Sequence, residues 1–186
     1  MPVSTIPSAR ALAACAAALV LGAPISGTLA AKVPPHLAPH LAETGFGQLA
    51  QPLPLPYDET ADAPSAIRAA TARARAHHRL LLIDLGGNWC LDCRLLAGTI
   101  ALPDLAPFVR AHYEVVTVDV GRYAKNMDVP GLYGAGPWQG VPMVLIVDPR
   151  DGRLVNAGHT TALTDARSLS PQALADWLAQ WPEARK

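Results

Sequence analysis

The sequence predicts an α/β domain in which helices cover a mixed β-sheet, and three observations carry that reading. Three runs rich in apolar and β-branched residues, 79–85, 113–120 and 141–148, have the length of strands, and the first and last are apolar almost throughout, as buried strands are. Segments with helical apolar spacing and helix-start signals lie between and around them. Pro149-Arg150-Asp151-Gly152 then marks a tight turn, from which residues 153–158 are expected to return as the second arm of a hairpin.

The chain has 186 residues and a formal net charge of zero. That is room for one ordinary domain plus flanking segments. The charge balance excludes a basic nucleic-acid footprint. Arg68, Arg73, Arg75 and Arg79 form a basic cluster that reads as the solvated face of a helix.

Residues 1–31 read as a secretory signal peptide. A short start ends in Arg10, an apolar stretch spans 11–23, and Pro24, Ser26 and Gly27 break it before small residues that suit a signal peptidase. The stretch is about 13 residues, against the roughly 20 a spanning helix needs, so cleavage is expected without stable membrane insertion afterwards. Leu12-Ala13-Ala14-Cys15 offers the alternative of a lipoprotein anchored through Cys15, although little apolar sequence precedes that cysteine. Residues 32–64, with prolines at 34, 35, 39, 52, 54 and 56, are expected to form an extended linker or a poorly ordered N-terminal arm. The same prolines argue against a helix that would pair His36 with His40 in a metal site. Residues 65–186 are expected to be the folded domain.

Within that domain, Ala66, Ile67, Ala70, Ala74 and His77 give a helical stripe over 65–78, closed by His77 and His78. Strand 79–85 runs through Gly86-Gly87 into a helix over 90–101, and Pro103 introduces a second helical piece over 104–112. After strand 113–120 comes a long Gly- and Pro-rich loop, 121–140, with a helical turn near 126–132. Ser170-Pro171 is an N-cap followed by proline at the first helical position, and the last helix runs to about 181, burying Leu174, Trp177 and Leu178.

The chemistry-bearing stretch is Cys90-Leu91-Asp92-Cys93 at a helix start. Unpaired N–H groups and the helix dipole favour a thiolate at Cys90 there. If Cys15 leaves with the leader, only this pair remains, and a single close pair points to redox catalysis rather than a disulfide framework. A structural bridge closing so short a loop contributes little chain-entropy stabilisation. Tetrahedral zinc needs two further ligands. Asp92 adds negative charge beside Cys90 and should disfavour its thiolate, with Arg94 as a partial offset.

Taken together, the element order and Trp89-Cys90-Leu91-Asp92-Cys93 on the first crossover helix resemble the thioredoxin superfamily over about residues 65–182. Asp84 stands six residues before the first Cys, where thioredoxins carry a buried acid, and Val141-Pro142 opens the third strand, where the family carries a cis-proline. The Trp-Cys-x-Asp-Cys form also resembles a thioredoxin-related subgroup of cytosolic disulfide reductases. The resemblance implies a thioredoxin-like three-layer α/β/α fold with a central mixed sheet. It implies Cys90 as the exposed nucleophile, Cys93 as the resolving thiol, Asp84 as the proton acceptor, and Trp89, Val141 and Pro142 as substrate-binding residues, with no cofactor and no metal. Trp138 is a second aromatic candidate beside the disulfide, and His112 and His159 are assigned no chemistry.

This chain departs from the family pattern in its Leu-Asp dipeptide, its long loop 121–140, and the absence of a lysine in 113–120 to partner the buried acid. The expected protein is an exported, periplasmic or secreted disulfide reductase that exchanges disulfides with protein substrates and is fed by a membrane electron donor, with cytochrome or metal-site thiols as a specialised substrate class. A binding or chaperone-like module whose Cys pair is merely structural is the alternative from a different class.

Overall fold

In the computed structural model, which describes residues 38–185, the strand β1 (Leu80–Gly86) is buried at every position and forms the middle of a three-stranded sheet. It pairs in parallel with β2 (Tyr113–Asp119), in the register Leu80 opposite Tyr113 to Gly86 opposite Asp119. On its other side it pairs antiparallel with β3 (Met143–Val147), Leu85 facing Met143. A strand flanked on both sides and covered on both faces must be apolar throughout, which is what Leu80 to Leu85 supply apart from Asp84.

Side chains alternate across the sheet. Leu81, Ile83 and Leu85, with Met143 and Leu145, pack with Ile67, Ala70 and Ala74 of α1 (Ala63–Ala76). Leu80 and Leu82, with Val144 and Ile146, pack with α2 (Leu91–Ile100), α3 (Ala106–His112) and α5 (Pro171–Ala179), through Leu95, Leu96, Val109, Leu174 and Leu178. The single turn α4 (Val129–Leu132) lies in the long loop after β2. The three-layer α/β/α fold is therefore present, with its mixed sheet in the middle. Among the described residues no helix is long and apolar enough to cross a membrane. Residues 1–31, expected to be a signal peptide and including Cys15, lie outside the described residues, as does His36.

Three expectations are corrected. The hairpin arm over 153–158 does not form a strand: beyond β3 there is one antiparallel bridge, Val147 with Leu154. Asn156 takes the place of further backbone pairing. Fully buried, it accepts from Ile146 N–H at 2.9 Å and donates to the Val144 carbonyl at 2.8 Å, and Gly158, with φ of 79°, turns the chain away. A side-chain amide carries both donor and acceptor groups, so it can stand in for a ladder residue.

The Pro-rich segment, from Ala38 onward, is an arm laid against the domain rather than an extended linker. Leu41, Leu49 and Leu53 are buried in the core on the α2 side. Prolines deny this arm backbone donors, and side chains of the domain hold it instead. Arg94 donates to the carbonyls of Pro54 and Leu53 at 3.2 and 2.9 Å, the Thr117 hydroxyl donates to Pro56 at 2.8 Å, and Gln172 both donates to Pro39 and accepts from Leu41 N–H.

The arginines of α1 are not simply a solvated face. Arg73 pairs with Glu114 of β2 at 2.5 Å, and Arg75 donates to the Pro149 carbonyl, so two of them tie the helix to the sheet and the loop after β3.

Candidate active site

Gly86 and Gly87 end β1 and set the site. A β-carbon at Gly86 would lie 2.7 Å from Cys93 Sγ and closer still to the Tyr57 hydroxyl; one at Gly87 would lie 2.9 Å from Trp89 Cδ1. The absence of side chains here lets a sulfur, a phenol and an indole converge on the strand end. Cys90 follows as the N-cap of α2, with extended backbone and with its sulfur accepting the Cys93 N–H at 3.1 Å. The cap therefore uses sulfur where helices usually place Ser, Thr or Asp, and the same N–H favours negative charge on that sulfur.

Cys90 and Cys93 form a disulfide with Cα atoms 5.3 Å apart. Cys93 is fully buried. Cys90, expected to be exposed, is only 6% exposed in this oxidised state. Cys90 lines an open cleft of about 390 Å³ together with Trp89 and Val141, and its sulfur lies 3.6 Å from the Val141 carbonyl oxygen. The Val141–Pro142 peptide is cis. Trp89, Val141 and Cys90 thus share one cleft, with Pro142 next in chain.

Trp89 and Trp138 are joined there by two residues that no sequence pattern marks, Arg122 and Tyr123, the latter lining the cleft. Trp89 meets Tyr123 edge-on at 5.8 Å, Tyr123 meets Trp138 at 6.2 Å, and the Arg122 guanidinium lies 5.1 Å over the Trp89 ring. Trp138 itself is an anchor for the loop, donating its indole N–H to the Met127 carbonyl at 2.9 Å. Arg122 and Tyr123 both take left-handed backbone, with φ of 55° and 65°. Left-handed backbone costs a non-glycine residue roughly 1–2 kcal/mol, so the aromatic contacts must over-determine it.

Asp92 has a different partner from the one expected. Arg94 is committed to the arm, and Arg167 holds the Asp92 carboxylate from two guanidinium nitrogens, at 3.0 and 2.5 Å, while its backbone N–H donates at 2.9 Å. Burial pushes the Asp92 carboxyl up, but the hydrogen bonds and charge of Arg167 outweigh it and leave the group below the usual carboxylate range. Such a forked, charge-assisted pair largely cancels the field that Asp92 would otherwise impose on Cys90. Replacing Arg167 with Ala is expected to raise the pH at which the Cys90 thiolate forms, followed by thiolate absorbance in the reduced protein. An unshifted titration would show that the pair does not tune the nucleophile.

Asp84 lies on β1, two residues before Gly86, which faces Cys93 Sγ and the Tyr57 hydroxyl. It is 2% exposed, and its Oδ1 has no hydrogen-bond partner among the described residues. Burial pushes its carboxyl up to about 7, against the opposing effect of the Tyr57 hydroxyl. A buried carboxyl poised near neutrality can accept and release a proton. No group of His, Cys, Asp and Glu fit to hold a metal occurs among the described residues.

Of the six residues singled out in the sequence, Cys90, Cys93, Asp84 and Trp89 gather around the strand end, with Val141 and Pro142 beside them. Tyr57, Tyr123 and Arg167 were missed. The first had one signal: Leu49, Leu53 and Tyr57 recur every four residues in a segment whose prolines exclude a helix, which marks apolar anchors of a docked arm.

A family model described as thioredoxin-like matches residues 62–149. The structure is similar to the crystal structure of a disulphide isomerase from Xylella fastidiosa Temecula1, with a TM-score of 0.63 and 35% sequence identity, covering 68% of this chain and 96% of that one. No curated protein matches the chain. With this likeness spanning nearly all of the isomerase, and with a Cys-x-x-Cys pair capping the first helix after a buried central strand, the chain belongs to the thioredoxin-like family.

Proposed function

We propose that the protein is an exported thiol–disulfide oxidoreductase that reduces disulfides in protein substrates. The observation that carries this reading is a helix-capping Cys90 that lines a cleft and is disulfide-bonded to a fully buried Cys93. The similarity to a disulphide isomerase supports the same chemistry.

In the reduced protein the Cys90 thiolate attacks one sulfur of a substrate disulfide, forming a mixed disulfide and releasing the first substrate sulfur as a thiolate. Cys93 then gives its proton to Asp84 and attacks Cys90 Sγ. The Cys90–substrate bond breaks, the second substrate thiolate leaves, and the Cys90–Cys93 disulfide holds the oxidising equivalents. Two electrons have passed to the substrate, and a dithiol donor must return them. Outside the cytosol that donor is expected to be a membrane protein, since the leader-like residues 1–31 support export to the periplasm or beyond. Trp89, Val141 and Pro142 would contact an extended segment of the substrate, with Tyr123 as part of the same wall.

Reduction of insulin by dithiothreitol is expected to accelerate when the protein is added, and a rate equal to dithiothreitol alone would remove the oxidoreductase reading. The direction is tested separately by titration against glutathione. A potential near ~−120 mV, at the strong-oxidant end of the range, would make it an oxidase instead.

A further inference from the structure

We propose that Tyr57, delivered by the Pro-rich arm, is a positioning residue for the proton transfer between Cys93 and Asp84. This rests on the oxidoreductase reading and adds to it a group from outside the 62–149 match.

The geometry is built for one hydroxyl. The Tyr57 hydroxyl and Cys93 Sγ approach the same point beside Gly86, where glycine alone leaves room for both. Tyr57 is 3% exposed, and its hydroxyl, like Asp84 Oδ1, is buried with no hydrogen-bond partner among the described residues. The phenol and the Asp84 carboxyl are near enough to perturb each other, the phenol favouring the ionised carboxylate. Asp119 adds to the field on the phenol, and its carboxylate pairs with Lys125 at 2.6 Å.

The backbone around Tyr57 is clamped at that spot. Asn88, between the glycines and the Cys pair, accepts from Tyr57 N–H at 3.1 Å and donates to the Tyr57 carbonyl at 2.8 Å. Thr117, directly opposite Asp84 in the β1–β2 register, spends its hydroxyl on the Pro56 carbonyl rather than on the acid. β2 thus offers Asp84 no cation, and it fastens the arm that brings a neutral donor instead. A buried carboxylate needs such a donor, because an ionised acid left without one bears the full cost of desolvation.

During resolution Tyr57 keeps its own proton, which burial and the Asp84 charge hold firmly on the oxygen. Its hydroxyl donates a hydrogen bond to the Asp84 carboxylate before the transfer. It holds that carboxylate in place as the proton moves to it from the Cys93 sulfur. The S–S bond to Cys90 then forms and the substrate sulfur departs with its electron pair.

The test is Tyr57→Phe, which deletes the hydroxyl and keeps the ring. In the reduced variant the Asp84 carboxyl, followed by carbon-13 NMR, is expected to titrate at higher pH than in wild type. Resolution of a preformed mixed disulfide at neutral pH is expected to slow by about tenfold, the loss for one hydrogen bond to a charged group. Combined with Asp84→Asn, the variant is expected to be no slower than Asp84→Asn alone, because the hydroxyl acts through the acid. An unmoved Asp84 titration, an unchanged resolution rate, or additive losses in the double variant would each overturn the proposal while leaving an active oxidoreductase standing. A wild-type protein that exchanges no disulfides would overturn the underlying reading, and this role with it.

Discussion

Asp84→Asn is expected to stabilise the oxidised protein by about 4 kcal/mol above pH 7 and to leave its stability near pH 3 unchanged, in denaturant titrations at the two pH values. The figure is the free-energy equivalent of a carboxyl carried from 3.8 to about 7. In the unfolded chain Asp84 loses its proton near its ordinary value, whereas in the folded protein it keeps it until about 7. Between those values the folded state binds more protons than the unfolded one, so stability falls as pH rises through the window and levels off above it. Below 3.8 both states are protonated and the penalty vanishes. Asparagine has the same shape and never ionises, so its curve should lack the decline. Parallel wild-type and variant curves would mean that Asp84 is not the group responsible.

The same substitution is expected to slow disulfide exchange at neutral pH by on the order of a hundredfold, the low end of what a positioned general base contributes. Stability and activity would thus move in opposite directions at one atom. That opposition is the mark of a residue retained for its chemistry rather than for the fold.

Replacing either cysteine is expected to have the larger effect on turnover, and the two replacements should differ in kind. Cys90→Ser should reduce insulin no faster than dithiothreitol alone and form no covalent adduct with substrate. Cys93→Ala should form the mixed disulfide through Cys90 and then stall, because the thiol that releases the substrate is gone. Non-reducing gels should show a higher-mass species with Cys93→Ala that thiols dissolve, and none with Cys90→Ser. If Cys90→Ser keeps its activity, the pair is a structural link and the protein is a binding module. A trap on Cys93 instead of Cys90 would reverse the roles; the fully buried position of Cys93 makes that a sharp test.

What could be read in the sequence was local. An apolar run bounded by Gly-Gly is a buried strand whatever surrounds it, and a Cys after such a turn becomes a helix cap by its position. Hence β1, the Cys pair and Asp84 were placed before any contact was known. The features missed are set by contacts remote in sequence. Arg167 reaches Asp92 across 75 residues, and Tyr57 reaches Asn88 across 31. No periodicity encodes either contact. The arm was misread because prolines remove the backbone pairing by which order is usually inferred, while its actual ties are the side chains of Arg94, Thr117, Asn88 and Gln172. The expected hairpin arm failed for a related reason. A strand-like pattern at 153–158 was overridden by one side chain, Asn156, which does the work of a backbone.

That substitution bears on how the protein keeps company with its own substrates. A protein that handles misfolded or partly oxidised chains meets exposed strands seeking partners, and a bare sheet edge would capture them. Along the outer side of β3 the hydrogen-bonding groups of Val144 and Ile146, and the N–H of Asp148, are already engaged by Thr160, Asn156, Val155 and Arg153. With that border closed by an amide side chain and short loop contacts, an incoming polypeptide finds no ladder to join there. Under the proposed function, such a chain would engage the cleft instead, where a bond made through Cys90 could be undone.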